Sequence, residues 1–389
     1  MARITFMGPL GAGHVNPTLG IAAELVHRGH EVSYAAPRMF AERIRETGAR
    51  YVPATSTWEA MPRGAVPQMH GAELVRAMGL LLDETKAMVK KLDSLPKPDL
   101  VVHDGTLAWW GRILAHRWGV PAVETWPNFV SNSHWNMQSY AKINPLHPRF
   151  LLTMLRIGRY VRREGIRDVG GFMQGATAAA RIVTIPRAFQ PEGHTFGDSF
   201  HFVGPVLTER RFQGDWQPPD GKPVLLVSLG TAYNDRPEFF RTIMETAEDR
   251  QWHVVMAIGD SVSRRDLGNI PLNVEVHEQV PQTAVLRHAA AFVTHAGMGG
   301  VLEGFAHEVP MLAVPQMAEQ RANADRLVEL GLGTQIPPDQ ITPDRFWSTV
   351  EDLTDDPRIR GRLNWMKAEI EAAGGASAAA DVVESALPA

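Results

Sequence analysis

The chain contains no cysteine. Disulfides, thiolate nucleophiles and Cys-ligated zinc or iron–sulfur centres are therefore excluded. A basic excess is also missing: Lys plus Arg is 39 against 43 for Asp plus Glu, a formal net charge of −4. That balance argues against gripping a nucleic-acid backbone or an anionic membrane, so neither is expected as a partner. No uninterrupted apolar run approaches ~18 residues, so nothing is expected to span a bilayer. The start, MARITFMGPLGAG, has one short apolar run (Ile4 to Met7) and no small-residue cleavage site. A secretory signal is not expected, and the cytoplasm is the expected location. What is present suits a folded protein: 389 residues, 44% hydrophobic and 21% charged. At ~100–200 residues per domain, two cores are expected and a largely disordered chain is not.

Arg3–Met7 reads as a strand, followed by the glycine-rich turn GPLGAGHVN. Pro17 stands where a first helical residue is expected, with Asn16 as its N-cap. Leu19, Ala22, Ala23 and Val26 then recur at helical spacing, and Glu31–Ala36 reads as the next strand. This is a β-turn-α-β unit, which forms a parallel pair with a right-handed crossover. The plan returns about 220 residues later: PVLLVS from Pro223, the turn LGTAYN, a helix over 237–248 and a strand from His253. Two such starts predict two doubly wound domains in tandem. Further strands are expected at 99–103, 121–124, 181–185 and 201–203, then at 273–277, 291–295 and 311–314. Later helices are expected at 298–307, 319–330 and 343–353, with a helical, Ala-rich tail from Arg358 to Leu387. The polar, Pro-rich stretch 205–223 reads as a linker.

The first glycine loop fails two familiar chemistries. Gly8 and Gly13 bracket four residues as in a P-loop, yet His14 and Val15 stand where Lys and Ser/Thr are needed. Gly11 and Gly13 begin a dinucleotide fingerprint, but Asn16 takes the third glycine's place. The acid that should end the second strand is absent too, which weakens a dehydrogenase reading. What remains is a histidine at the mouth of a strand–helix turn, where ligands bind in such sheets. Asp104 ends another strand on the same edge. A carboxylate within reach of an imidazole fixes its tautomer and steadies its cation, making a better general base. The plainer alternatives are a solvated loop histidine and an N-cap aspartate for the TLAWWGRIL helix.

The second glycine region, VTHAGMGGVLE, runs from a strand into a helix. Gly297, Gly299 and Gly300 let a phosphate approach backbone N–H groups at a helix N-terminus. His295 is placed to donate to the same anion, and Glu303 to accept from a diol such as ribose. Downstream, Glu319 and Gln320 offer an acid beside an amide, suited to sugar hydroxyls. The plainer readings are a tight turn with a packed histidine and an acid-enriched helix start.

Taken together these segments resemble family-one glycosyltransferases of the two-Rossmann (GT-B) type. The likeness is greatest to bacterial, actinomycete-type macrolide and natural-product enzymes. GHVNPTLGIAAELVHRGHEVSYA resembles the acceptor-domain start. VSLGTAYN, NVEVHEQVPQ and FVTHAGMGGVLEGFAHEVPMLAVPQMAEQRANADRLVELGLG resemble the donor-domain signature in order and spacing. The resemblance covers nearly the whole length. It implies an α/β GT-B fold, with two doubly wound Rossmann-like domains facing each other across a cleft. The expected bounds are an acceptor domain at 1–207, a linker at 208–222, a nucleotide-sugar domain at 223–370 and a helical tail at 371–389. Packing of that tail back on the first domain is one option.

The resemblance also implies roles. His14 is the base and Asp104 its partner. Thr231, His295, Gly297, Gly299 and Gly300 hold the donor diphosphate. Gln282 and the Val280 backbone meet the nucleobase, Glu303 the ribose, and Glu319 and Gln320 the transferred sugar. The implied reaction is an inverting transfer of a hexose, glucose being favoured, to a hydroxyl of a hydrophobic natural product such as a macrolide. UDP-glucose is favoured over a dTDP-sugar as co-substrate. One departure stands out: Gln279 occupies the place where the family usually has a tryptophan near the donor base. Losing a stacked aromatic forfeits roughly 1 kcal/mol. Asp-x-Asp, the pair that metal-dependent glycosyltransferases use on the diphosphate, occurs nowhere. No cofactor and no required metal are expected. The first half holds Trp58, Trp109, Trp110, Trp118, Trp126 and Trp135, with Met61, Met69, Met78, Met88 and Met137 in segments lacking strand pattern. From these, Trp58, Met61, Trp110 and Trp126, with Phe129, are the candidate lining of an apolar acceptor pocket. Core packing is the plainer account of any one of them. Rival functions are a nucleotide-sugar epimerase or hydrolase on the same fold, or an inactive auxiliary protein of glycosylation. A monomer or a homodimer is expected.

Overall fold

The structure is a computed structural model that describes residues 1–62, 67, 71–207, 214–230 and 236–388. The chain divides into two compact units, one formed by Met1–Thr208 with Ile370–Ala389 and one by Glu209–Glu369.

The first unit carries a seven-stranded parallel sheet. Its strands are β1 (Arg3–Met7), β2 (Glu31–Ala36), β3 (Arg50–Pro53), β4 (Leu100–Asp104), β5 (Ala122–Trp126), β6 (Ala180–Val183) and β7 (Phe200–Phe202), in the order β3-β2-β1-β4-β5-β6-β7. The second carries six strands, β8 (Val224–Ser228), β9 (His253–Ala257), β10 (Val274–His277), β11 (Ala289–Thr294), β12 (Met311–Ala313) and β13 (Gly333–Gln335), in the order β10-β9-β8-β11-β12-β13. Both orders run outward from the first strand and then jump to its other side. The jump leaves a crevice beyond the strand ends, between β1 and β4 in one unit and between β8 and β11 in the other. Central strands such as LVVHD and VLLVS are buried on both faces, as a sheet covered by helices on each side requires.

Several expectations need correction. The first helix runs Ala12–His27, with Gly11 as N-cap and Pro17 inside it. Proline at that point removes the N–H that would reach the Gly13 carbonyl, and Gly13 is exposed. Met78 and Met88 lie not in loops but on the helix Gly71–Leu92, where Met88 is core. Met69 falls outside the described residues. β3 and β13 were not anticipated; at four and three residues they are too short to show a period. The tail is two helices, Pro357–Ala372 and Gly375–Ser385, broken at Gly374 in the left-handed region (φ 84°). The last helix belongs to the first unit. Ala379, Ala380 and Val383 join the core of Ile4, Ile21 and Leu25. Arg28 reaches Asp381 (2.6 Å) and Glu384 (2.7 Å), and Gly375 N–H donates to the Val203 carbonyl (2.8 Å). Among the described residues no helix is long and apolar enough to cross a membrane.

Candidate active site

In the first unit the chain leaves β1 through Gly8, whose N–H donates to the Ala35 carbonyl (2.9 Å). A side chain there would crowd Tyr34 and Val15, each 3.0 Å from an added Cβ. The short turn delivers His14 in the first turn of the helix, directly over the crevice between β1 and β4. Asp104 ends β4 and is 2% exposed. Its Oδ2 accepts from His14 Nδ1 at 2.8 Å. Its Oδ1 accepts from the N–H groups of Thr106 (3.0 Å) and Leu107 (2.6 Å). Ala108, not Asp104, is the N-cap of the helix Trp109–Trp118. The carboxylate thus performs two tasks, shaping the turn with one oxygen and holding the imidazole with the other. With the proton on Nδ1, the Nε2 of His14 presents its lone pair, the arrangement a general base needs.

Behind Asp104 lies a buried charged cluster. His103, Glu124 and Arg181 stand side by side across β4, β5 and β6. Arg112 donates from Nε to Glu124 (2.5 Å) and from Nη2 to the Gly105 carbonyl (2.7 Å). Trp126 Nε1 also donates to Glu124 (3.1 Å). A Cβ at Gly105 would collide with the Trp126 ring. Burial lowers the affinity of His103 for a proton. None of these charged residues was picked out from the sequence. The available signal was a glutamate inside the apolar strand AVETW and an arginine inside WWGRIL.

In the second unit the loops after β8, β10, β11 and β12 leave the carboxyl edge of the sheet. After β11, His295 packs between Gly230 (φ 79°) and Gly297. A Cβ on either glycine would collide with the imidazole. Ala296 takes a left-handed conformation (φ 60°), with its N–H on Thr294 Oγ1 (3.2 Å) and its carbonyl on Asn323 Nδ2 (2.9 Å). Such a turn stores strain and is a common mark of a ligand clamp. Gly297 caps the helix Met298–Ala306, and Gly299 and Gly300 open its first turn. Burial pushes the His295 imidazole down to about 4, against a small opposing effect of the Ser228 backbone. It is neutral near pH 7. A helix start with small residues beside a neutral imidazole is an arrangement suited to receiving an anion.

The loop after β10 places Gln282 at a helix start, where its Nε2 donates to Glu303 Oε2 (2.7 Å). Glu303 is buried, Val280 is half-buried and Gln279 is exposed. After β12, Glu319 pairs with Asn323 Nδ2 (3.3 Å). Gln320 is buried, and its Oε1 accepts from the N–H groups of Gln316 (2.8 Å) and Met317 (3.3 Å). Gln320 therefore caps its own helix. Thr231 lies outside the described residues.

The chain matches the family model for the erythromycin biosynthesis protein CIII-like C-terminal domain over residues 241–385. It is 37% identical to the demethyllactenocin mycarosyltransferase of Streptomyces fradiae, over 100% of this chain and 87% of that one. It is 38% identical to the oleandomycin glycosyltransferase of Streptomyces antibioticus, over 100% and 91%. The chain belongs to the family-one GT-B glycosyltransferases. The crystal structure of the calicheamicin glycosyltransferase CalG4 superposes with a TM-score of 0.87 at 35% identity, covering 99% of this chain and 98% of that one. The protein is thus a glycosyltransferase with two Rossmann-like parallel-sheet domains.

The acceptor candidates of this glycosyltransferase separate by burial. Trp110 is 2% exposed and packs in the core with Ile113, Leu114 and Met88. Phe129 is wedged between Trp135 (5.4 Å) and Phe189 (5.3 Å). Packing accounts for both. Trp58, Met61 and Trp126 keep some exposed surface, and Trp126 lies against Gly105, next to the catalytic candidate Asp104.

Proposed function

We propose that this glycosyltransferase moves a hexose, with UDP-glucose the favoured donor, to a hydroxyl of a hydrophobic natural product such as a macrolide. The transfer inverts the anomeric centre and needs no metal. The observation that carries this reading is the 2.8 Å contact between His14 Nδ1 and Asp104 at the crevice of the first sheet. The acceptor hydroxyl binds His14 Nε2 and gives up its proton there while its oxygen attacks the anomeric carbon. As that C–O bond forms, the bond from the anomeric carbon to the diphosphate breaks, and its electron pair leaves with the nucleotide. Asp104 steadies the resulting imidazolium.

In the second unit the backbone at Gly297–Gly300 and the imidazole of His295 take the diphosphate, with Thr231 as a further partner. The Gln282–Glu303 pair serves the nucleoside, Gln282 and Val280 toward the base and Glu303 toward the ribose. Glu319 takes hydroxyls of the sugar, and Gln320 positions that turn through its cap. A macrolide-class acceptor is supported by the relatives named for erythromycin, oleandomycin and demethyllactenocin. Gln279 removes the aromatic that the family usually sets near the base.

The experiment is a mass-spectrometric screen of UDP- and dTDP-sugars against macrolides and flavonoids, with the product linkage read by NMR. The expected product is a macrolide β-glucoside made from UDP-α-glucose. A retained α linkage, or turnover with dTDP-sugars alone, contradicts the corresponding part of the proposal.

A further inference from the structure

The helix Pro148–Arg163 of the first unit carries Arg149, Arg156, Arg159, Arg162 and Arg163 and no acidic residue. Thr153, Ile157, Gly158 and Val161 turn inward and are buried. The outward face of a surface helix is normally polar. Here it also presents Leu151 (48% exposed), Leu152 (61%) and Leu155 (63%), with Leu146 (80%) just ahead of the helix. All five arginines are exposed beside these leucines. Few acids answer them. Asp83 lies 3.5 Å from Arg156 but is shared with Lys86, and Glu164 is taken by Arg117 at 2.6 Å. The adjoining helix Gly71–Leu92 adds exposed Lys90 and Lys91. The net charge of −4 for the whole chain therefore hides a strongly basic, partly apolar face.

The two properties together narrow the occupant. A second copy meeting this face symmetrically would set arginine against arginine, which like-charge repulsion opposes. A purely ionic partner leaves the leucines in water. A bilayer surface with anionic headgroups satisfies both, because apolar side chains enter the acyl boundary while guanidinium groups meet phosphate oxygens. We propose that the outward face of the helix Pro148–Arg163 docks this glycosyltransferase on an anionic lipid surface. The whole-chain charge led to the opposite expectation because it averages over the surface, whereas a membrane meets one face.

The test is co-sedimentation of the full chain with vesicles of phosphatidylglycerol and phosphatidylcholine, against phosphatidylcholine alone. At least about tenfold more protein should sediment with the anionic vesicles, and high salt should weaken the binding. The variant Leu151→Ser/Leu152→Ser/Leu155→Ser should lose it while retaining transfer to a dissolved acceptor. Arg149→Gln/Arg156→Gln/Arg159→Gln, which leaves every leucine in place, should lose it as well. Failure of the wild type to sediment with anionic vesicles overturns the proposal. So does unchanged sedimentation of either variant, or a wild-type dimer in analytical ultracentrifugation that the leucine variant dissociates.

Discussion

At the scale of single residues, environment decides what two histidines can do. His14 is oriented by a carboxylate that is itself fixed by two backbone donors, so its useful nitrogen is set before any ligand arrives. His295 has the opposite surroundings, with burial holding it neutral near pH 7. An adjacent diphosphate favours its charged form and raises its pKa above about 4. Binding of a nucleoside diphosphate is therefore expected to take up a proton and to tighten as pH falls through the pKa of the complex. Calorimetry in buffers of different ionisation enthalpy measures this uptake. Equal uptake by His295→Asn contradicts the assignment. Folding has its own dependence: with the proton affinity of His295 below the ordinary 6.5, its contribution to stability is complete above that pH and fades as pH falls toward 4. His14, Asp104 and His295 were legible in the sequence because each ends or follows an apolar run beside glycine. The tryptophans offered as acceptor candidates were less so, since a tryptophan in a core and one in a pocket look alike in sequence.

At the scale of elements, the strand–loop–helix units were readable because buried parallel strands form continuous apolar runs. Their edges were harder. Pro17 suggested a helix start, yet the helix already begins at Ala12, which puts His14 in its first turn. The charged row under β4 and β5 escaped notice because partners such as Arg112 and Glu124 meet only in the folded sheet. This cluster braces the turn that holds Asp104. Arg112→Met leaves Glu124, which is 0% exposed, without its nearest guanidinium. It should cost roughly 3–5 kcal/mol in urea unfolding, and adding Glu124→Gln should recover part of that loss. A loss below about 1 kcal/mol would mean that the pair is not a significant support.

At the scale of the whole molecule, the same strand order is used twice, and each copy places a different chemistry at its crevice. The first unit holds an imidazole–carboxylate pair; the second holds small residues, a helix start and a neutral imidazole. The last helix ties the chain's end to its beginning through Arg28 and a shared core, a closure that the alanine-rich tail alone did not reveal. On the proposed reading, proton removal in one unit and anion binding in the other are separable by mutation. The most direct measurement is the transfer rate of His14→Ala beside its affinity for the nucleoside diphosphate. The expected result is a rate lower by roughly 10²–10⁴-fold with affinity unchanged. Turnover equal to the wild type would contradict the account.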